Sequence, residues 1–197
     1  MSQFELKAGD NFIFAIDVSG SMATTDCPNG MNRLEFAEEK MRQFCKEADK
    51  IDADGISVIT FGHAIKSWQN IHNDAVEKII DEIKPNQAAT LTDRAITAAY
   101  QEHVKNGNSR TLLLIVTDGE PTSEPDVFKA VADITKAVKN EQEFRICFLT
   151  VGEISAGLSV FLQHLDDKVP GSLFDIVEVL DLNETCFYGA VGDTLAA

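Results

Sequence analysis

The chain is poor in cysteine and in basic residues, and it lacks any long apolar run. Its 4 cysteines are far apart and form no C-x-x-C pair, so we expect buried free thiols and a reducing, cytoplasmic setting. No stretch approaches the roughly 20 apolar residues that cross a bilayer. The first residues also lack the basic start and apolar middle of a signal peptide. These absences disfavour a membrane role.

The shortage of basic residues leaves the chain strongly acidic. It carries 32 acidic and 17 basic residues, for a formal net charge of −15. Such a surface repels phosphate backbones, which disfavours a sequence-independent role in nucleic-acid binding. The acidity is explained by solubility alone, or by a need to attract cations or a basic partner, and composition does not separate these explanations.

What the chain does contain is an alternation of apolar runs with amphipathic stretches. Its 197 residues, 44% of them hydrophobic, suit a single domain over residues 1–197 with its core at about 10–195. Strands are predicted at 12–16, 56–61, 65–68, 111–117, 144–151 and 173–180. Helices are predicted at 33–50, between Asn73 and Pro85, at 91–104, from Ser123 or Asp126 to about 138, at 157–165, and from about 184.

This order of elements predicts an α/β fold. We expect a doubly wound, mostly parallel six-stranded sheet with helices on both faces. The run at 65–68 alternates polar and apolar residues after a short turn, which predicts an antiparallel edge strand.

Oxygen-bearing side chains follow two of the most apolar strands. Asp17-Val18-Ser19-Gly20-Ser21 comes directly after the first strand, and Thr117-Asp118-Gly119 ends the strand at 111–117. Carboxylates and hydroxyls, without sulfur or imidazole, are the ligands that hard divalent cations such as Mg²⁺ prefer. Because parallel strands end at one edge of a sheet, the sequence predicts a metal site at that edge.

Three separated motifs resemble the von Willebrand factor type A (vWA) domain and its metal-ion-dependent adhesion site. The first is D-x-S-x-S at Asp17, Ser19 and Ser21, and the last is Asp118 in T-D-G. Between them, residues 87–95 are similar to the family's second loop, with Thr90 at the position of its metal-binding threonine. Alanines at 88 and 89 replace the two glycines that the family has there.

The resemblance implies a binding site rather than an enzyme. Ser19, Ser21 and Thr90 would bind Mg²⁺ directly through their hydroxyls, with Mn²⁺ or Ca²⁺ as alternatives. Asp17 and Asp118 would act mainly through bound waters. The remaining coordination position would accept an aspartate or glutamate carboxylate from a partner protein.

Several further residues are candidates for contacts with that partner. Glu120 and Thr122 follow Asp118 closely, although polar residues there also serve simply to solvate a loop. Asp26 and Asn29 lie in a segment that either borders the recognition surface or is a plain surface excursion. The resemblance further suggests that a helix from about 184 shifts when the site gains a carboxylate.

Alternative interpretations remain for the motifs and for the function. Ser19, Ser21 and Thr90 could be turn or helix caps, and Asp118-Gly119 could be a simple turn. A haloacid-dehalogenase-like phosphatase also begins with a strand-end aspartate, but Ser19 stands where its second carboxylate belongs. A metal-independent scaffold of the same fold is the other alternative.

The resemblance suggests two biological settings. Extracellular adhesion is disfavoured by the missing signal peptide and disulfide pattern. We favour an intracellular, bacterial-type member that works beside an AAA+ ATPase or in a stress-response system.

Overall fold

A computed structural model describes residues 9–182, apart from 51, 53, 86–88 and 168. Within this part, the chain forms a six-stranded sheet in the order β3-β2-β1-β4-β5-β6. The pairs β1·β2, β1·β4, β4·β5 and β5·β6 are parallel, and β2·β3 is antiparallel. The strands are β1 (Asn11–Asp17), β2 (Ile56–Phe61), β3 (Ile65–Ile71), β4 (Thr111–Thr117), β5 (Phe144–Thr150) and β6 (Val177–Asp181). The predicted fold class is confirmed.

Helices cover both faces of the sheet. The α-helices in the described residues are α1 (Arg33–Ala48), α2 (Val76–Glu82), α3 (Thr92–Lys105), α4 (Glu124–Ala137) and α5 (Ala156–Asp167). Apolar residues of α1 and α2 join one core layer, and those of α3, α4 and α5 join the other. Among the described residues, no helix is both long enough and apolar enough to span a bilayer.

The central strands show why their sequences are apolar at nearly every position. In β1, Phe12 and Phe14 face the layer of α1 and α2, whereas Ile13 and Ala15 face the layer of α3, α4 and α5. Alternate residues of β4 divide between the two layers in the same way. A parallel strand covered on both faces has no solvent side and therefore no polar alternation.

Two local predictions differ from the structure. Asn73 does not cap α2: the helix begins after Ala75 without a side-chain cap, and the Asn73 backbone N–H instead donates to Asp49 Oδ2 over 2.9 Å. The last predicted strand begins at Val177, four residues later than expected. The predicted closing helix from about 184 lies outside the described residues.

The cysteines that the structure describes lie in the core. Cys27, Cys45 and Cys147 are buried free thiols. Burial raises the pKa of Cys45 to about 12, because the thiolate would lose its hydration. These thiols therefore act as small apolar side chains.

Gly55, just before β2, provides a test of the packing at the amino-terminal edge of the sheet. Its φ of +78° is unfavourable for other residues, and a Cβ there would lie 3.0 Å from the Ile71 carbonyl oxygen. Gly107 has a similar φ of +76° but open space around it. We expect Gly107→Ala to lower the free energy of unfolding by about 1–2 kcal/mol. Gly55→Ala should cost roughly 1–3 kcal/mol more, because the backbone must also shift.

Urea denaturation of the two variants and the wild type measures this difference. Equal losses of unfolding free energy in both variants would show that the backbone of β3 moves away from the added methyl without an energetic penalty.

Candidate metal centre

Two strand ends bring the predicted carboxylates together. Ile16 of β1 pairs with Val116 of β4, so Asp17 and Thr117 end neighbouring strands side by side. The Thr117 hydroxyl donates to Asp17 Oδ2 over 2.7 Å. The chain continues from β1 to β2 on one side of this pair and from β4 to β5 on the other. Open α/β sheets form their ligand crevice at the point where the connections diverge in this way.

The first loop places the Ser19 hydroxyl beside that of Ser21, which contacts Asp118. The Ser19 N–H donates to Asp17 Oδ1 over 2.8 Å, which folds the loop back over the end of its strand. The Ser19 and Ser21 hydroxyl oxygens are 3.1 Å apart. Ser21 donates to Asp118 Oδ1 over 2.9 Å. A 3-10 turn follows Ser19 without a side-chain cap, so a capping role for Ser19 is wrong.

The second loop contributes Thr90, and its hydroxyl is not a helix cap either. The capping position of α3 is Leu91, and no side chain caps that end. The backbone of Thr90 is instead held by Thr122: the Thr90 N–H donates to Thr122 Oγ1 over 3.1 Å, and the Thr122 N–H donates to the Thr90 carbonyl over 2.9 Å. This pair of bonds joins the second loop to the third.

Gly119 faces the point where the three loops meet. A Cβ built on this glycine would lie 3.8 Å from Ser21 Oγ, 3.8 Å from Thr90 Oγ1 and 4.0 Å from Asp17 Oδ2. The hydrogen in place of a side chain thus leaves a small space, here called the cradle, between Gly119, two oxygens of the first loop and one of the second. Four of the five predicted metal ligands are joined directly by hydrogen bonds, and Thr90 is placed beside them by this geometry.

The donors around the cradle fit a hard divalent cation. They are hydroxyls and carboxylates. In the described part of the chain, no three or more His, Cys, Asp or Glu side chains are grouped so that they could hold a metal ion by themselves. Neighbouring ligands of an octahedral Mg²⁺ are about 3 Å apart. The separation of 3.1 Å between the Ser19 and Ser21 hydroxyl oxygens matches that spacing.

Burial makes the charge of Asp17 costly without a cation. The side chain is fully buried, and desolvation raises the pKa of Asp17 to about 6, with a smaller contribution from the nearby Asp118 charge. Hydrogen bonds from Ser19 and Thr117 oppose this rise. A buried carboxylate whose pKa is raised by desolvation gains most from an added positive charge.

Arg33 is the main residue of this region that the sequence analysis missed. Its Nη1 donates to Asp118 Oδ2 over 2.6 Å, and its Nε and Nη2 bind Asp26. Arg33 lies in the first turn of α1, where a basic residue opposes the helix dipole. A basic residue at this unfavourable position was the sign in the sequence that Arg33 has another role.

The candidate partner-contact residues occupy different settings. Asp26 binds Arg33, which lowers the pKa of Asp26 to about 2. Thr122 holds the Thr90 backbone, and Glu120 accepts a 2.6 Å hydrogen bond from Ser155 just before α5. Asn29 is exposed, with a φ of 61° in a short 3-10 turn. Glu120, Thr122 and Asn29 are exposed, while the Asp26 carboxylate is engaged in an ion pair with Arg33.

Residues 12–120, more than half of the chain, match the family model described as the von Willebrand factor type A domain. The chain belongs to this family. Human inter-alpha-trypsin inhibitor heavy chain H2 is 25% identical over 177 residues, which cover 82% of this chain and 17% of that protein. The chain thus spans only a small part of the curated relatives that it matches.

Solved structures support the vWA fold. The VWA domain of SpRpn10 has a TM-score of 0.60 at 14% identity, with 96% of this chain and 94% of that chain covered. The manganese-loaded TRAP protein of Plasmodium vivax has a TM-score of 0.62 at 13% identity, with 96% and 74% covered. A von Willebrand factor type A protein from Catenulispora acidiphila has a TM-score of 0.63 at 15% identity, with 95% and 41% covered.

Asp17 should make the stability of the cation-free vWA domain depend on pH. The folded pKa of about 6 lies above the ordinary aspartate value of 3.8, so the folded state binds the proton more tightly than the unfolded state. The resulting stabilisation is complete below pH 3.8 and is lost as the pH rises through about 6. Asp17→Asn stays neutral throughout, so its stability relative to wild type should increase by about 2 kcal/mol between pH 4 and pH 7.

Urea denaturation in EDTA at several pH values measures this relative stability. A difference that stays constant from pH 4 to pH 7 would contradict the assignment to Asp17.

Proposed function

We propose that this vWA domain is a protein-interaction module whose binding depends on a divalent cation, with Mg²⁺ as the expected ion. The single observation that carries the proposal is the cradle beside Gly119 of the third loop, where Asp17 and Ser21 of the first loop and Thr90 of the second surround a space that a methyl group would fill. Hydrogen bonds bring Ser19 and Asp118 to the same place. Turn formation alone does not require this convergence.

Ser19, Ser21 and Thr90 would hold the cation through neutral hydroxyls, and Asp17 and Asp118 would balance its charge. When bound, the ion supplies a strong electrophile for a carboxylate of the partner, because neutral ligands leave much of its charge uncompensated. Mn²⁺ and Ca²⁺ prefer similar oxygen donors and are alternative ions.

The family supports a protein partner, and vWA domains are in general interaction modules rather than enzymes. A structural neighbour, the TRAP protein of Plasmodium vivax, was crystallised loaded with manganese, which supports the choice of a divalent cation. We further propose an intracellular, bacterial-type setting beside an AAA+ ATPase or a stress-response component. That part of the proposal rests on sequence composition and on the family resemblance.

Gly119→Ala is the sharpest test of the cation site. The added methyl would make only ordinary contacts of 3.8–4.0 Å, so the variant should fold with nearly wild-type stability. Because the methyl occupies the cradle, we expect the affinity for Mn²⁺ to fall at least about tenfold, equivalent to roughly 1.4 kcal/mol. Isothermal titration calorimetry measures the affinity, with Gly107→Ala as the matched control far from the loops. Wild-type affinity in Gly119→Ala would place the ion elsewhere.

The acceptance of a carboxylate is tested with a minimal probe. In the Mn²⁺-loaded protein, we expect the methyl protons of acetate to relax faster than those of neutral acetamide, because only acetate reaches the paramagnetic ion. The Gly119→Ala variant and an EDTA-treated sample should remove the difference. Equal relaxation of the two probes by the loaded wild type would argue for a metal site that does not accept carboxylates.

A further inference from the structure

Arg33 ties the third loop of the cradle to the first. Its side chain is 9% exposed, and its partner Asp118 has no exposed side-chain surface. The two Asp118 oxygens have different partners: Oδ1 accepts from the Ser21 hydroxyl at 2.9 Å, and Oδ2 accepts from Arg33 Nη1 at 2.6 Å. Only one oxygen of Asp118 is therefore directed towards the hydroxyl cluster, and the other is held by a permanent positive charge.

We propose that Arg33 is a positioning residue that holds Asp118 back from the cation, so that the site gives up cation affinity and keeps positive charge for the partner's carboxylate. This inference rests on the function proposed above. It concerns the division of charge within the site rather than the identity of the ligands.

The charges near the cradle determine the sign of the effect. Asp118 is neutralised in part by Arg33, so it attracts a cation less than a free carboxylate would. Without Arg33, Asp118 would be free to approach the ion and cancel more of its charge. The domain would then bind the cation more tightly and the carboxylate of a partner more weakly.

Asp26 limits this effect from the opposite side of the guanidinium. Arg33 Nε donates to Asp26 Oδ1 over 2.9 Å, and Nη2 also binds Asp26. If the negative charge of Asp26 were removed, the positive charge of Arg33 would act on the cradle without compensation. Asp26 and Arg33 should therefore have opposite effects on cation affinity, although they belong to one ion pair.

The loop after β5 holds this ion pair in place. The Glu153 N–H donates to Asp26 Oδ2 over 3.0 Å, and the Glu153 carbonyl accepts from Arg33 Nη2 over 3.0 Å. A Cβ at Gly152 would overlap with Arg33 Nε and with Asp26 Oδ1. The position of Arg33 thus depends on close backbone packing, which gives a fourth loop influence over the metal centre.

Mn²⁺ titrations of Arg33→Met and Asp26→Asn test the proposal, with free Mn²⁺ measured by electron paramagnetic resonance. We expect Arg33→Met to bind Mn²⁺ on the order of tenfold more tightly than wild type, and Asp26→Asn to bind it several-fold more weakly. At saturating Mn²⁺, acetate relaxation should change in the opposite order: weaker in Arg33→Met and stronger in Asp26→Asn. Arg33→Lys keeps the charge and should lie closer to wild type than Arg33→Met.

A purely structural role for the ion pair predicts a different pattern. Both variants would then lose Mn²⁺ affinity and acetate binding together, and this result would overturn the inference. Thermal melts add a folding control: Arg33→Met should melt below wild type in EDTA and recover with Mn²⁺, because the cation replaces the lost positive charge. If Arg33→Met does not fold, Asp26→Asn decides through its acetate relaxation at saturating Mn²⁺. The proposal expects this relaxation to be stronger than in wild type, and an equal or weaker relaxation contradicts it.

The result for the wild type separates this inference from the proposed function. Wild-type protein that binds no Mn²⁺ would refute the cation-dependent function itself. Wild-type binding combined with changes of equal sign in the two variants would refute only the role of Arg33.

Discussion

The parallel pairing of β1 with β4 is the constraint on which the candidate site depends. It places Asp17 beside Thr117 at the end of two buried strands, and the hydroxyl of Thr117 binds the Asp17 carboxylate directly. The first and third loops can meet only because both strands end at the same level. Both strands are covered by helices on each face, and the carboxylates of Asp17 and Asp118 at their ends are buried.

The balance of charge is the second constraint on the candidate site. A chain with a net charge of −15 places two buried acidic residues, Asp17 and Asp118, at one sheet edge. The only cationic side chain described in contact with either of them is Arg33, and it binds Asp118 rather than Asp17. Desolvation by burial raises the pKa of Asp17, which has hydrogen bonds but no opposite charge to offset that effect. A site that lacks a positive charge beside Asp17 is suited to a cation bound from solution.

Much of the site was predictable because its residues follow apolar strands. Asp17, Ser19, Ser21 and Asp118 stand directly after β1 and β4, where side chains of an open α/β sheet reach the ligand crevice. Thr90 came from the family resemblance, and its Oγ1 lies 3.8 Å from the position that a Cβ on Gly119 would occupy. Asn73 was wrongly predicted as a cap because its N–H binds Asp49 at the end of α1, a contact that local sequence does not reveal.

The sequence by itself determined the order of strands and helices, the chemistry of the donors and their positions at strand ends, because these depend on hydrophobic periodicity and local turns. Tertiary structure alone decided how the loops approach each other. Arg33 and Asp118 are 85 positions apart, and Asp26 and Glu153 are 127 apart, so no local pattern links them. Their contacts follow from packing α1 and the loop after β5 around the same sheet edge, where buried charges must find partners.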